Sequence, residues 1–169
     1  MNIFGWTKEA LAASLREHQI PRFRADQIVR WMYQRGAVSL HAMDNLPKEL
    51  RARLAEIFSI ERPAVISRLH SADGATIKLL YEFADGQTVE TVLMRHAYGN
   101  SVCVSTQAGC RMGCAFCAST LNGLQRNLTA GEIAAQVIGI ADFLRAEGGH
   151  VDTIVVMGSG EPLENYDNV

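Results

Sequence analysis

The sequence contains no apolar run approaching the roughly 18 consecutive residues that a membrane-spanning helix requires. Its first residues, Met1-Asn2-Ile3-Phe4-Gly5-Trp6-Thr7-Lys8-Glu9, lack the basic and then apolar layout of a secretory signal. Those two absences argue against membrane and secreted classes, and they make the cytoplasm the expected location. No internal repeat or low-complexity tract is visible. Charged residues make up only 20% of the chain against 48% hydrophobic, which excludes a disordered tail and permits a buried core. Cysteine is missing from the whole first part of the chain; all four cysteines lie between 103 and 117. A disulfide scaffold spreads its cysteines to staple distant segments, so this is not one. Four thiols so close together point instead to a reduced compartment and a metal or redox site.

At 169 residues the chain has the length of one ordinary domain, or of a small domain plus part of a larger one. Its charge is uneven. Residues 1–60 hold nine Lys/Arg and six Asp/Glu, whereas residues 61–169 hold seven and twelve, so +3 and −5 sum to the net −2. A mildly basic start permits nucleic-acid contact without demanding it.

The spacing of apolar residues predicts helices over 7–18 (Thr7 as N-cap, with Ala10, Leu11 and Leu15), 24–35 (Ile28, Trp31 and Met32, closed by Gly36) and 47–58 (Leu50, Leu54 and Phe58). Together they form a helical module, residues 1–60. It carries Arg22, Arg24, Arg30, Arg35, Lys48, Arg51 and Arg53, ordinarily a solvated face and less often a polynucleotide surface. Strands follow at 64–71, 76–83 and 87–96, broken by Asp73-Gly74 and Asp85-Gly86. They suggest a β-meander, residues 61–98, linking two larger units.

From residue 99 to 169 the pattern is strand, loop, helix, strand, loop, helix start: parallel α/β grammar. The segment 101–105 reads as a short buried strand, and Thr129-Ala130-Gly131-Glu132 as a capping box opening a helix over 130–146. Val151–Met157 reads as a strand buried on both faces, and Asn165 as the cap of another helix.

Between the two strands stands Gly109-Cys110-Arg111-Met112-Gly113-Cys114-Ala115-Phe116-Cys117, spaced C-x₃-C-x₂-C. Three thiolates at this spacing can hold a cubic iron–sulfur cluster and leave one iron open to a small molecule. Met112, Ala115 and Phe116 would shield such a cluster from water. The competing reading is structural zinc with a fourth ligand elsewhere, such as Cys103 or a distant histidine, although no second C-x₂-C pair exists here. The loop follows the C-terminal end of one strand, and Gly158-Ser159-Gly160-Glu161-Pro162 follows the next in the same way. Sites in α/β folds are built at that end.

C-x₃-C-x₂-C after one strand and Met157-Gly158-Ser159-Gly160-Glu161-Pro162 after the next resemble the radical S-adenosylmethionine (SAM) superfamily. The longer run Cys103–Cys117, with Val89-Glu90-Thr91-Val92 upstream, resembles the dual-specificity RNA methyltransferases that methylate C2 of adenine in 23S rRNA and tRNA. The resemblance covers nearly the whole chain. It implies an incomplete radical-SAM (β/α) barrel, α/β in class, preceded by a small helical RNA-contacting domain and the β-meander. It also implies a [4Fe-4S] cluster on Cys110, Cys114 and Cys117, with SAM held through Gly160 and Glu161. Glu90 matches the family's proton acceptor and Cys103 its resolving cysteine. Without the resemblance, Glu90 is most simply an exposed strand glutamate and Cys103 a small core residue.

In the family's chemistry one SAM methylates a cysteine near the C-terminus. A second SAM is cleaved to a radical that activates the methyl group for attack on adenine, and the resulting protein–RNA adduct must be resolved. A disulfide and an electron donor such as flavodoxin or ferredoxin belong to the same picture. Two departures stand out. Ser159 occupies a position where the family usually has Met, and the carrier cysteine is not in the sequence. The chain is therefore expected to be the N-terminal part of such an enzyme and inactive in methyl transfer by itself. The alternatives are a radical SAM enzyme with another substrate and a non-catalytic RNA-binding module with a metal or cluster.

Overall fold

The computed structural model describes all 169 residues, which form two compact units, Met1–Arg62 and Pro63–Val169. The first is helical: α1 (Lys8–Glu17), α2 (Arg24–Tyr33) and α3 (Lys48–Ile57), with one 3₁₀ turn at Leu40–Ala42. Thr7 caps α1, its hydroxyl accepting from the Ala10 N–H at 3.1 Å. Leu11, Leu15, Ile28, Met32 and Leu54 are fully buried, as the 3.6-residue period requires of an inward stripe. The first residues join this core. Ile3 is fully buried and its N–H donates to Ser59 O at 3.0 Å.

The second unit is built on a five-stranded sheet, four strands in chain order and a fifth beside the fourth at the edge. Strands β1 (Ala64–His70), β2 (Thr76–Glu82) and β3 (Thr88–His96) form the expected antiparallel meander. The turns sit where Asp-Gly pairs were read, and Asp73 accepts from both the Ser71 hydroxyl and the Ala75 N–H. Strand β3 turns tightly into β4 (Gly99–Cys103), pairing His96 with Gly99. The meander and the segment after it thus share one sheet. Strand β4 then pairs in parallel with β7 (Thr153–Val155) across α4 (Ala130–Ala146), which opens on the capping box between Thr129 and Glu132. Residues of β2, β3, β4 and α4 close the core, among them Leu79, Leu93, Val102, Ile140 and Leu144. No helix is long and apolar enough to cross a membrane.

Three expectations need correction. The second parallel strand is three residues long and exposed, with Ile154 at 52%, because β7 is the sheet's edge and is paired on one side only. The stretch after β4 is not all loop. A small hairpin of β5 (Gln107–Gly109) and β6 (Leu124–Asn127) carries the cysteine loop at its tip, and strands this short leave no readable alternation. Asn165 caps nothing. It is buried within a 3₁₀ segment, Pro162–Asn168, and its side-chain amide donates to Thr106 O and Leu128 O, both at 2.8 Å.

Candidate functional site

Strand alternation decides which β3 side chains face the core. Val89, Thr91 and Leu93 point into it, leaving Glu90 and Val92 on the other face. Cys103, the last residue of β4, lies beside Val92 on β3 and Val155 on β7. Over these strand ends a cavity of about 530 Å³ opens, lined by Glu90, Val92, Cys103, Cys117, Gly158 and Ser159 among others. That volume lies in the range of small-molecule sites.

Two glycines make the neighbouring turn possible. A Cβ on Gly158 would stand 2.6 Å from the Ser105 hydroxyl and 2.7 Å from Val104 O. Gly160 has φ +105°, and a Cβ there would meet the Gln107 side chain at 2.6 Å. The chain therefore packs directly onto the segment leaving β4, as only glycine allows. The Ser159 carbonyl accepts from the Thr106 N–H at 2.8 Å and the Gln107 N–H at 3.2 Å, and the Glu161 N–H donates to Gln107 Oε1 at 2.9 Å.

The expected residues are only partly gathered. Glu90, Cys103 and Cys117 share the cavity with Gly158 and Ser159, whereas Cys110, Cys114, Gly160 and Glu161 do not line it. The Glu161 carboxylate accepts from the Leu163 N–H at 3.0 Å, at the start of the 3₁₀ segment. The Glu90 carboxylate is 55% exposed and pairs with Lys78 Nζ at 2.8 Å, so a cation from β2 stands beside it.

Cys110 directly follows β5 and is buried, Cys114 is exposed, and Cys117 is half-buried, its N–H donating to Cys114 O at 3.0 Å. All four cysteines are free thiols, so the disulfide implied by the resemblance is not formed. The three loop thiols do not converge as a preformed ligand group. As a donor set they nevertheless fit an iron–sulfur cluster, being soft, unpaired by disulfides and carried on one short loop. The apolar shield is not drawn over them: Phe116 is 93% exposed and Met112 52%.

Beneath the loop the electrostatics are fixed. Arg126 on β6 makes two 2.8 Å bonds to the Glu132 carboxylate and a third to Asp85 at the β2–β3 turn. These carboxylates push the guanidinium pKa up, and the Arg126 hydrogen bond holds the Asp85 carboxyl below the usual carboxylate range.

Sequence reasoning missed the residues that tie this site together. Ser105, Gln107, Gln136 and Asn165 are all buried and polar. The signal available was Ser105-Thr106-Gln107, a polar run directly after a buried strand, and a lone glutamine inside an apolar helix face.

Comparison with known proteins agrees with this layout. Residues 1–60 match the family model for the ribosomal RNA large subunit methyltransferase N-terminal domain. A probable dual-specificity RNA methyltransferase RlmN of Desulforamulus reducens is 56% identical over 147 residues, covering 87% of this chain and 41% of the relative. Its counterpart in Staphylococcus carnosus is 50% identical over 168 residues, 99% of this chain and 46% of the relative. A crystal structure of a radical SAM methyltransferase from Sphaerobacter thermophilus superposes with a TM-score of 0.93 at 44% identity, covering 99% of this chain and 49% of that one. The chain spans less than half the length of these proteins. By sequence and by fold, the chain is similar to the dual-specificity RNA methyltransferases over less than half of their length, with the ribosomal RNA large subunit methyltransferase N-terminal domain matched at residues 1–60.

Proposed function

We propose that the chain carries the first part of the catalytic machinery of a radical SAM methyltransferase acting on C2 of adenine in 23S rRNA and tRNA. The observation that carries this reading is the cavity where Glu90, Cys103, Cys117 and the Gly158–Ser159 turn meet beside a three-cysteine loop. The parallel unit β4–α4–β7 is the repeat from which (β/α) barrels are made, with the cavity at the C-terminal end of its strands.

Cys110, Cys114 and Cys117 would hold a [4Fe-4S] cluster, which when bound supplies an electron and an open iron for SAM. The Gly160–Glu161 backbone, fixed on Gln107, sets a carboxylate where an ammonium group can replace its bond from the Leu163 N–H. Glu90, solvent-accessible and beside Lys78, suits acceptance of a proton from the adenine. Cys103 offers the cavity a free thiol for resolving a protein–RNA adduct. Flavodoxin or ferredoxin fits as the reductant, and the exposed guanidinium groups of the helical unit fit RNA phosphates.

The test is anaerobic reconstitution with iron and sulfide, read by visible absorption and iron content. Cys114→Ala should abolish cluster binding, while Cys103→Ala should retain it. Equal loss of iron in both variants would make Cys103 a ligand and remove its proposed role.

A further inference from the structure

We propose that Gln136 is the positioning residue of this site, its single carboxamide setting the relative placement of Glu90, the end of β4 and the Gly158–Ser159 turn. The inference rests on the functional reading above for the meaning of the site, but its geometry stands independently. Gln136 sits on α4 and is fully buried. Its Oε1 accepts from the Thr91 hydroxyl and from the Ser105 N–H, both at 2.8 Å. Its Nε2 donates to Ser105 O at 2.9 Å and, more weakly, to Glu132 O at 3.3 Å. Every donor and acceptor place of the amide is used.

The backbone needs this partner where it stands. Strand β4 ends at Cys103 and β5 begins at Gln107, so Ser105 lies between the two ladders. Gln136 bonds both its N–H and its carbonyl, replacing a neighbouring strand at that point. The Ser105 side chain, itself fully buried, carries the constraint onward. Its hydroxyl donates to Glu90 O at 2.7 Å and accepts from the Ser159 N–H at 2.9 Å. Thr91, which Gln136 grips directly, is the residue after Glu90. One side chain from a helix thus fixes three segments that line the cavity. Packing alone does not explain it, since a leucine or methionine would fill a similar volume without burying an amide. Glu132, one turn before Gln136 on α4, pairs with Arg126 on β6.

The test is amide hydrogen exchange of the chain with three substitutions. Gln136→Leu should lower protection at Ser105 and Ser159 by about tenfold, the effect of losing one to two buried hydrogen bonds. Protection in the β1–β2 pair should be unchanged. Ser105→Ala should lower protection at Ser159 but not at Ser105, because the carboxamide still holds its backbone.

Gln136→Glu separates positioning from packing. A neutral carboxyl offers one donor and one acceptor in the same shape, whereas a carboxylate places negative charge against Ser105 O. Protection at Ser159 relative to wild type should therefore be lost at neutral pH and return on acidification. Gln136→Leu should show no such return. Unchanged protection at Ser159 in Gln136→Leu and Ser105→Ala, or an equal drop across the entire sheet, would overturn the proposal. If Gln136→Leu is insoluble, Ser105→Ala and the Gln136→Glu pH profile decide. Failure of cluster reconstitution would sink the functional reading and leave these exchange results untouched.

Discussion

The two units differ in what they bury. Residues 1–62 hide an apolar core and a single polar residue, Ser14, at its margin. Residues 63–169 bury Thr91, Ser101, Ser105, Thr106, Gln107, Gln136 and Asn165 as well as their apolar core. Burying a polar group is costly unless its hydrogen bonds are made, and the side chains of Thr91, Ser105, Gln107, Gln136 and Asn165 each have a defined partner, whereas the Thr106 hydroxyl has none. The helical unit is held by shape and volume. The sheet unit is held near its cavity by specific pairings, and the residues that make them fix turns and strand ends that apolar packing cannot fix.

That contrast can be broken first in the helical unit. Leu54 is fully buried on α3, so Leu54→Ala should cost about 2–5 kcal/mol, the range for a core leucine that leaves a cavity. Both tryptophans, Trp6 and Trp31, lie in this unit, so denaturant unfolding followed by tryptophan fluorescence reads it directly. A loss below 1 kcal/mol would mean that the apolar stripe closes over the gap and that volume is not what holds the unit.

The corresponding test in the sheet unit is Asn165→Leu. It removes the amide that serves Thr106 O and Leu128 O; Thr106 O keeps the Leu128 N–H at 3.0 Å, so the buried carbonyl left without its donor is that of Leu128. The expected cost is about 1–3 kcal/mol for the one group left without a partner. It should appear as faster exchange around β5 and β6 and as readier proteolysis within Pro162–Asn168. A change no larger than that of a surface substitution, within about 0.5 kcal/mol, would remove the distinction between the units.

The same difference explains what was legible in the sequence. The three helices, the meander and the α4 capping box emerged within a residue or two because apolar period and Asp-Gly turns encode them locally. The cysteine motif and the glycine turn were legible as chemistry. The β5–β6 hairpin, the tie made by Asn165 and the clamp made by Gln136 were not. Their partners lie 15 to 59 residues away, as for Gly109 with Leu124 and Asn165 with Thr106, and no local period marks them. Glu90 reads from its residue type as an exposed strand glutamate, and it is exposed; its pairing with Lys78, a diagonal cross-strand neighbour, becomes evident once the register of β2 on β3 is known.

A third prediction sharpens the reading of the basic helical face, where the arginines fall into two groups. Arg51 donates to His41 O at 2.6 Å and Arg53 donates to His18 O, so both brace their own unit. Arg22, Arg30 and Arg35 are exposed, and Arg35 lies 4.6 Å over the Trp31 ring. Charge reversal at Arg22, Arg30 and Arg35 together should flatten the salt dependence of RNA binding by about two to three units of log–log slope, close to one per phosphate contact. Reversal at Arg51 and Arg53 should chiefly lower the tryptophan-detected unfolding midpoint. Equal salt slopes for the two sets would show that bracing and binding are not divided this way.

The smallest effect concerns pH and belongs to the sheet unit alone. Asp85 at the β2–β3 turn has its carboxyl held below the usual carboxylate range, first by the Arg126 hydrogen bond and then by the Gln87 N–H. A folded-state pKa below the unfolded one means that the ionised form stabilises the fold. The contribution is complete above the unfolded value, near 4, and is lost as pH falls through the lower folded value. Because the carboxylate is at the surface, the gain is modest and weakens with salt. Asp85→Asn should therefore match wild type in stability at low pH and fall slightly below it at neutral pH. The gap should narrow when Arg126→Met is the background, since the guanidinium is the main cause of the shift. Exchange at the Gln87 amide, measured across that pH range, reports the turn directly. A gap that persists unchanged at acidic pH would place the role of Asp85 in turn geometry and not in its charge.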